Sequence, residues 1–268
     1  MNLRSGFPLA SFAWFTVALA GLLFAWGPGH ASGSDTIKRP DTDTFLAGVR
    51  AYEAGDYAGA VEAFSDLVAR GYGSGPLYFN LGNSHLKEGH LGHAILWYER
   101  SLKLMPGNAD LLYNLDYARA LTRDEVDEPE VPLGRIIFFW KYRMSRPSVQ
   151  VVSLLFWLAF WALLGVKRIH RGSLLRAGAV LTGFLGVLFV STAFYNYYEE
   201  RYSRDAVIVG EEVGVRAGTD EGATELFRLH AGTFVEARRS EAGHTLVSFT
   251  KDRVGWVPEH DVELIRGP

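Results

Sequence analysis

Gly75–Asn108 reads GPLYFNLGNSHLKEGHLGHAILWYERSLKLMPGN. Apolar residues fall at Leu77, Tyr78 and Leu81, and again at Ala94, Leu96, Trp97, Tyr98 and Leu102, with Gly89 between the two runs. Pro106 closes the stretch. This pattern predicts an amphipathic helix, a tight glycine turn and a second amphipathic helix. The register recurs one unit upstream: Gly48 and Gly82, Gly55 and Gly89, Ala60 and Ala94, and Phe64 and Tyr98 are each 34 residues apart. Ala60 and Ala94 fall where two helices cross closely, and a larger side chain would force them apart. The upstream copy, Asp41–Ser74, is weaker in its first helix and has Tyr72 in place of the closing proline. Downstream, Ala109–Arg123 supplies one more helix, aligned through Leu112 and Leu115.

The unit resembles a tetratricopeptide repeat, with Tyr78, Leu81, Gly82, Ala94, Tyr98 and Pro106 at that repeat's signpost positions and His85 where the family usually has tyrosine. Residues 41–123 are therefore expected to form an all-α solenoid of two repeats plus a capping helix. One such unit cannot bury its apolar face alone, so five helices are expected to stack.

The chain around this stretch is heterogeneous. Residues 1–31 have Arg4, an apolar core from about Phe12 to Trp26 and a Gly27-Pro28-Gly29-His30-Ala31 break, the pattern of a secretory signal; an uncleaved anchor is the alternative. Residues 124–148 combine an acidic linker with the basic and aromatic LGRIIFFWKYRMSRP, either a surface-lying juxtamembrane segment or a basic lead-in to a span. Residues 149–166 and 177–195 carry no charge, which predicts two transmembrane helices. The loop between them, 167–176, holds Lys167, Arg168, His170, Arg171 and Arg176 and no acid, which places it in the cytoplasm by the positive-inside rule. Ala179, Gly183 and Gly186 are small residues that allow close packing of the spans. An even number of spans puts residues 41–123 and the C-terminal domain on one side, expected to be periplasmic.

From residue 205 the period changes. Short β-branched and aromatic runs separated by Gly, Asp and Glu predict a small all-β barrel or sandwich over 205–266. Val213–Gly218, Leu229–Ala237 and Gly255-Trp256-Val257-Pro258 resemble a bacterial SH3-like domain.

No catalytic set is legible. There is no GxSxG, Walker-type loop or HExxH, and the chain has no cysteine, which removes disulfides and thiolate sites. Its formal net charge of -3 argues against sequence-independent nucleic-acid binding. His85, His90 and His93 are the nearest thing to a metal set. Gly89 breaks the helix between the first two, so they need not share a face; His85 takes a packing position of the repeat and the other two lie at a turn, and neither metal nor cofactor is expected. Binding is the expected activity. By resemblance, first helices of repeats line a groove, which assigns Phe79, Asn80, Asn83, Lys87, Tyr113, Asn114 and Tyr117 to a protein-binding surface. Asparagine amides can pair with a peptide backbone, and aromatic rings supply apolar pockets. In the C-terminal domain, Phe249 and Trp256 are the candidates for a ligand face, with core packing as the alternative for Trp256.

Signal, repeats, basic-aromatic segment, two-span hairpin and terminal SH3-like domain, in this order, resemble the BatE-type tetratricopeptide proteins of the Bacteroides aerotolerance (Bat) group. That resemblance implies a non-enzymatic adaptor in the bacterial inner membrane. Its implied partners are von Willebrand A-type membrane proteins and a MoxR-type ATPase, with a link to aerotolerance or envelope stress. The alternative is an envelope protein that binds peptidoglycan through the SH3-like domain. A chaperone-like role resting on the repeat-plus-membrane layout comes third.

Overall fold

The computed structural model describes residues 42–124, 138–170, 172–220, 222–250 and 252–266. The signal expected over 1–31 and most of the segment expected over 124–148 lie outside them.

Among the described residues five helices come first: α1 (Thr42–Glu53), α2 (Tyr57–Ala69), α3 (Gly75–Glu88), α4 (Leu91–Leu104) and α5 (Ala109–Ala120). Side-chain caps set their starts. The carboxylate of Asp56 accepts the Gly59 amide, Ser74 Oγ accepts that of Leu77, and Asn108 Oδ1 accepts that of Leu111, each satisfying an amide with no partner inside its helix. Gly89 ends α3 in the left-handed region at φ 84°, where a side chain would be strained.

The 34-residue register has a direct packing cause. A Cβ at Gly48 would lie 2.6 Å from the Phe64 ring, and one at Gly82 would lie 2.6 Å from the Tyr98 ring. Each repeat thus places a glycine of its first helix against a fully buried aromatic of its second. The first repeat buries Ala60, Phe64 and Leu67 with Leu77, Tyr78 and Leu81 of the next helix. Helices α1, α3 and α5 neighbour one another, as the first-helix layer of a repeat stack requires.

The C-terminal region is a seven-stranded antiparallel sheet: β1 (Asp205–Ile208), β2 (Glu212–Arg216), β3 (Glu225–His230), β4 (Phe234–Glu241), β5 (His244–Ser248), β6 (Val254–Pro258) and β7 (Val262–Leu264). Its order is β3-β2-β6-β5-β4-β1-β7. The expected barrel is not closed by hydrogen bonds, since no pairing joins β3 to β7 among the described residues. Irregularities between Val215 and Arg216 and between Ala237 and Arg239 bend the sheet around Val213, Val215, Leu229, Val247 and Val257.

Repeats and sheet share one core. Ala94, Ile95, Leu96 and Tyr98 of α4 and Leu111, Leu115 and Ala118 of α5 are buried together with Val207 of β1 and Ile265. They form part of one compact unit with Phe138–Arg146, which includes the short helix α6 (Phe139–Arg143), and with the chain from Phe194 onward. Within it Lys141 pairs with Glu199 at 3.2 Å and lies 4.2 Å from the Tyr195 ring centre.

The second unit contains most of α7 (Arg146–Ile169) and of α8 (Ser173–Tyr202). Both helices are long and apolar enough to cross a membrane, over Pro147–Ile169 and Ser173–Glu199. They pack through small residues. A Cβ at Gly183 would lie 3.0 Å from Phe160, one at Gly186 would lie 3.4 Å from Trp157, and Ala179 is buried. Val151, Leu155, Leu158, Val180, Leu181, Phe184 and Val187 stay exposed, an apolar surface suited to lipid.

Candidate functional site

The seven residues expected to line the groove separate into two groups. Asn83 and Asn114, on neighbouring first helices, bond to each other: the Asn114 amide donates to Asn83 Oδ1 at 2.8 Å. The Tyr98 hydroxyl donates to the same oxygen at 2.7 Å. Burial pushes the Tyr98 phenol upward, so it stays protonated and keeps donating. Asn83 therefore links α3, α4 and α5. Phe79 packs against the shared core, its ring centre 6.1 Å from that of Tyr98. Asn80 is half-buried, and its backbone carbonyl accepts from Ser84 Oγ at 2.8 Å. Lys87, Tyr113 and Tyr117 remain exposed, the two tyrosines by 73% and 53%. The open part of the surface is thus the face of α5 that carries Tyr113 and Tyr117 one helical turn apart.

In the sheet, Trp256 is buried, with the Arg239 guanidinium 5.1 Å from its ring centre. Phe249 packs at the edge of the sheet core. These two residues do not form an open aromatic face.

The contact between repeats and sheet is built from residues that stand out in no motif. Arg100 of α4 is only 8% exposed. Its guanidinium donates to the Leu264 carbonyl at 2.9 Å, pairs with Glu263 at 3.2 Å and lies 4.5 Å from the Trp97 ring centre. The equivalent position one repeat upstream is the exposed Asp66, so the 34-residue register offers no hint of this role. Glu99 pairs with Arg119, whose guanidinium lies over Phe234 of β4. Gly92 lets the backbone of Ile208 and Val209 rest on α4. Gly232, at φ 91°, turns the chain between β3 and β4 against Ile95 and Thr122.

Asp124 completes this contact. Its Oδ2 accepts the His230 amide at 2.7 Å and the Thr233 hydroxyl at 2.5 Å, and its Oδ1 lies 2.9 Å from His230 Nδ1. Burial pulls this carboxyl upward, but the bonds from Thr233 and His230 outweigh it and hold the group below its usual value. Asp124 belonged by sequence to the acidic linker. The structure makes it a fastening between the end of the repeats and the sheet.

The three histidines also depart from expectation. Gly89 ends α3, yet it does so in a turn that folds the chain back: the His90 amide donates to the His85 carbonyl at 2.9 Å. The ring centres of His85 and His93 are 5.1 Å apart and those of His85 and His90 are 5.8 Å apart. Burial, with the neighbouring His93 and His90, pushes His85 down to about 3. It is neutral at pH 7. Burial likewise lowers His93, against the opposing pull of Glu263.

Residues 75–108 match the tetratricopeptide repeat family. No curated protein matches the chain. The chain therefore contains a tetratricopeptide repeat, a module that generally mediates protein–protein interaction, and carries it beside two apolar helices and an antiparallel sheet.

Proposed function

We propose that this protein is a non-enzymatic, membrane-anchored adaptor of the bacterial envelope that binds a partner protein through its tetratricopeptide surface. The observation that carries the reading is the exposed pair Tyr113 and Tyr117 on α5. Large exposed aromatic side chains on a rigid helix provide contact area at low entropic cost, the usual make-up of an interaction hot spot. The sheet docks on α4 and does not cover these rings.

The same-side topology has support from the shared core. Val207 and Ile265 pack against α4 and α5, so the chain segments before and after the two apolar helices belong to one folded body. Two spans return the chain to the side it left. The basic loop 167–176, with the signal pattern of residues 1–31, supports the periplasm as that side against the basic residues at 135–146. The C-terminal sheet serves as an SH3-like domain whose first task is to hold the repeats. The resemblance to BatE-type proteins names von Willebrand A-type membrane proteins and a MoxR-type ATPase as partners, in aerotolerance or envelope stress. The peptidoglycan alternative has less support, because Trp256 is buried and Phe249 is packed into the edge of the sheet core.

The test is affinity capture of the full chain from native membranes with Tyr113→Ala/Tyr117→Ala. Loss of a specific membrane-protein partner is expected, with unchanged thermal stability. Equal recovery of every partner by the double variant overturns the reading. Asn83 and Asn114 are poorer choices for this test, since their removal would loosen the helix stack itself.

A further inference from the structure

We propose that the turn between α3 and α4 binds one divalent first-row transition-metal ion, held by a ring nitrogen of His85, a ring nitrogen of His90 and the carboxylate of Glu88. One potential ligand atom from each of the three residues lies within 4.8 Å of the others. His90 Nδ1 is 3.4 Å from a Glu88 oxygen. A tetrahedral ion at bonding distance places its donors about 3.5 Å apart, so closing the set takes side-chain movements of roughly 1 Å.

The independent observation is His85. Only 9% of its surface is exposed, and its Nδ1 is buried without a hydrogen-bond partner. A buried polar atom left unpaired costs about 1–3 kcal/mol, so such atoms call for an explanation.

The donor chemistry limits the ion. Two imidazoles and one carboxylate suit zinc, cobalt, nickel or copper(II), whereas magnesium and calcium prefer oxygen donors throughout. The backbone geometry supplies the scaffold. His85 and Glu88 are one turn apart on α3, and the left-handed Gly89 brings His90 back over that turn. His93 stacks on His85, with 24° between the rings, and so fixes the orientation of the buried ligand. His90 is half-exposed, which leaves the remaining coordination positions open to water or to a side chain from a partner.

The experiment is calorimetric titration of the untagged full chain in detergent with Zn2+, paired with Co2+ titration followed by visible absorption. One ion per chain is expected, with tetrahedral-type cobalt bands. His90→Ala and Glu88→Gln change partly exposed side chains and should keep the metal-free melting curve, while each weakens Zn2+ binding about tenfold or more. His260→Ala, an exposed histidine outside the three-residue set, should bind as the wild type does. No Zn2+ uptake by the wild type at 100 µM total metal overturns the proposal. So does wild-type affinity in both His90→Ala and Glu88→Gln, or loss of the site in His260→Ala.

Discussion

Replacing Asp124 by alanine removes a carboxylate that ties the end of the repeats to the β3–β4 turn. Three contacts go with it: from the His230 amide, the His230 ring and the Thr233 hydroxyl. Thr233 is almost fully buried and water cannot readily replace the lost acceptor. Each hydrogen bond to a charged group contributes about 1.5–3 kcal/mol, but deleting Asp124 also removes the cost of burying its carboxylate, and the pair is partly open to solvent. A net loss of about 2–4 kcal/mol follows for the unit formed by repeats and sheet. For a body of this size that is a fall in Tm of roughly 4–15 °C. Hydrogen–deuterium exchange of the full chain in detergent is the sharper assay, since it reads the β3–β4 turn directly. Peptides covering 228–234 should exchange faster in Asp124→Ala, while the sheet interior around Val247 and Val257 changes less. The pH dependence adds a second arm. The Asp124 carboxyl is held lower in the folded state than in the unfolded chain, so the folded form binds its proton less readily. Its stabilisation is fully present above the unfolded value of about 4 and is lost as pH falls through the lower folded value. The stability gap between wild type and Asp124→Ala should therefore shrink in strong acid. A Tm change under about 1 °C at pH 7 with unchanged exchange in 228–234 would refute the reasoning.

Two further substitutions probe the packing. Gly82→Ala drives a Cβ into the fully buried Tyr98 ring, and Gly48→Ala does the same to Phe64; each should cost about 1–3 kcal/mol, read by thermal melting, and wild-type melting would show that the rings can move aside. Gly92→Ala meets backbone atoms of Ile208 and Val209 at 2.6–2.7 Å, which cannot rotate away, so β1 should lift from α4 and amides of 205–209 should lose protection; retained protection there would count against close backbone contact at this site.

The helical part was legible because small-against-large packing leaves a periodic trace. Gly48 and Gly82, and Phe64 and Tyr98, recur at 34 residues since each pair solves the same contact. The apolar helices were legible because an uninterrupted apolar run is a local property of the chain. The shared core was not. Arg100, Gly92, Gly232 and Asp124 look like a surface charge, two ordinary glycines and part of an acidic linker, and they gain meaning only when residues more than 100 positions apart meet. The groove expected from the register turns out to be partly internal for a related reason. Sequence register places Asn83 and Asn114 on the correct helices, but an asparagine amide pairs as well with its neighbour across the stack as with a ligand. The proximity of the histidines was not legible because a glycine in the sequence marks a helix end without saying where the chain goes next. A left-handed glycine also redirects the chain, and here it returns His90 to the vicinity of His85.

The core that Val207 and Ile265 complete has a consequence for biogenesis. Residues 94–118 leave the ribosome long before residues 205–265, with both apolar helices made in between. Until the last strands arrive, the nascent repeats carry an uncovered apolar patch made by Ile95, Leu111 and Leu115. Maturation of the repeats therefore waits on synthesis of the two apolar helices and of the strands that follow them. A chain that stops short of those strands is left with an adhesive, incomplete domain, a form that quality-control proteases can recognise and remove.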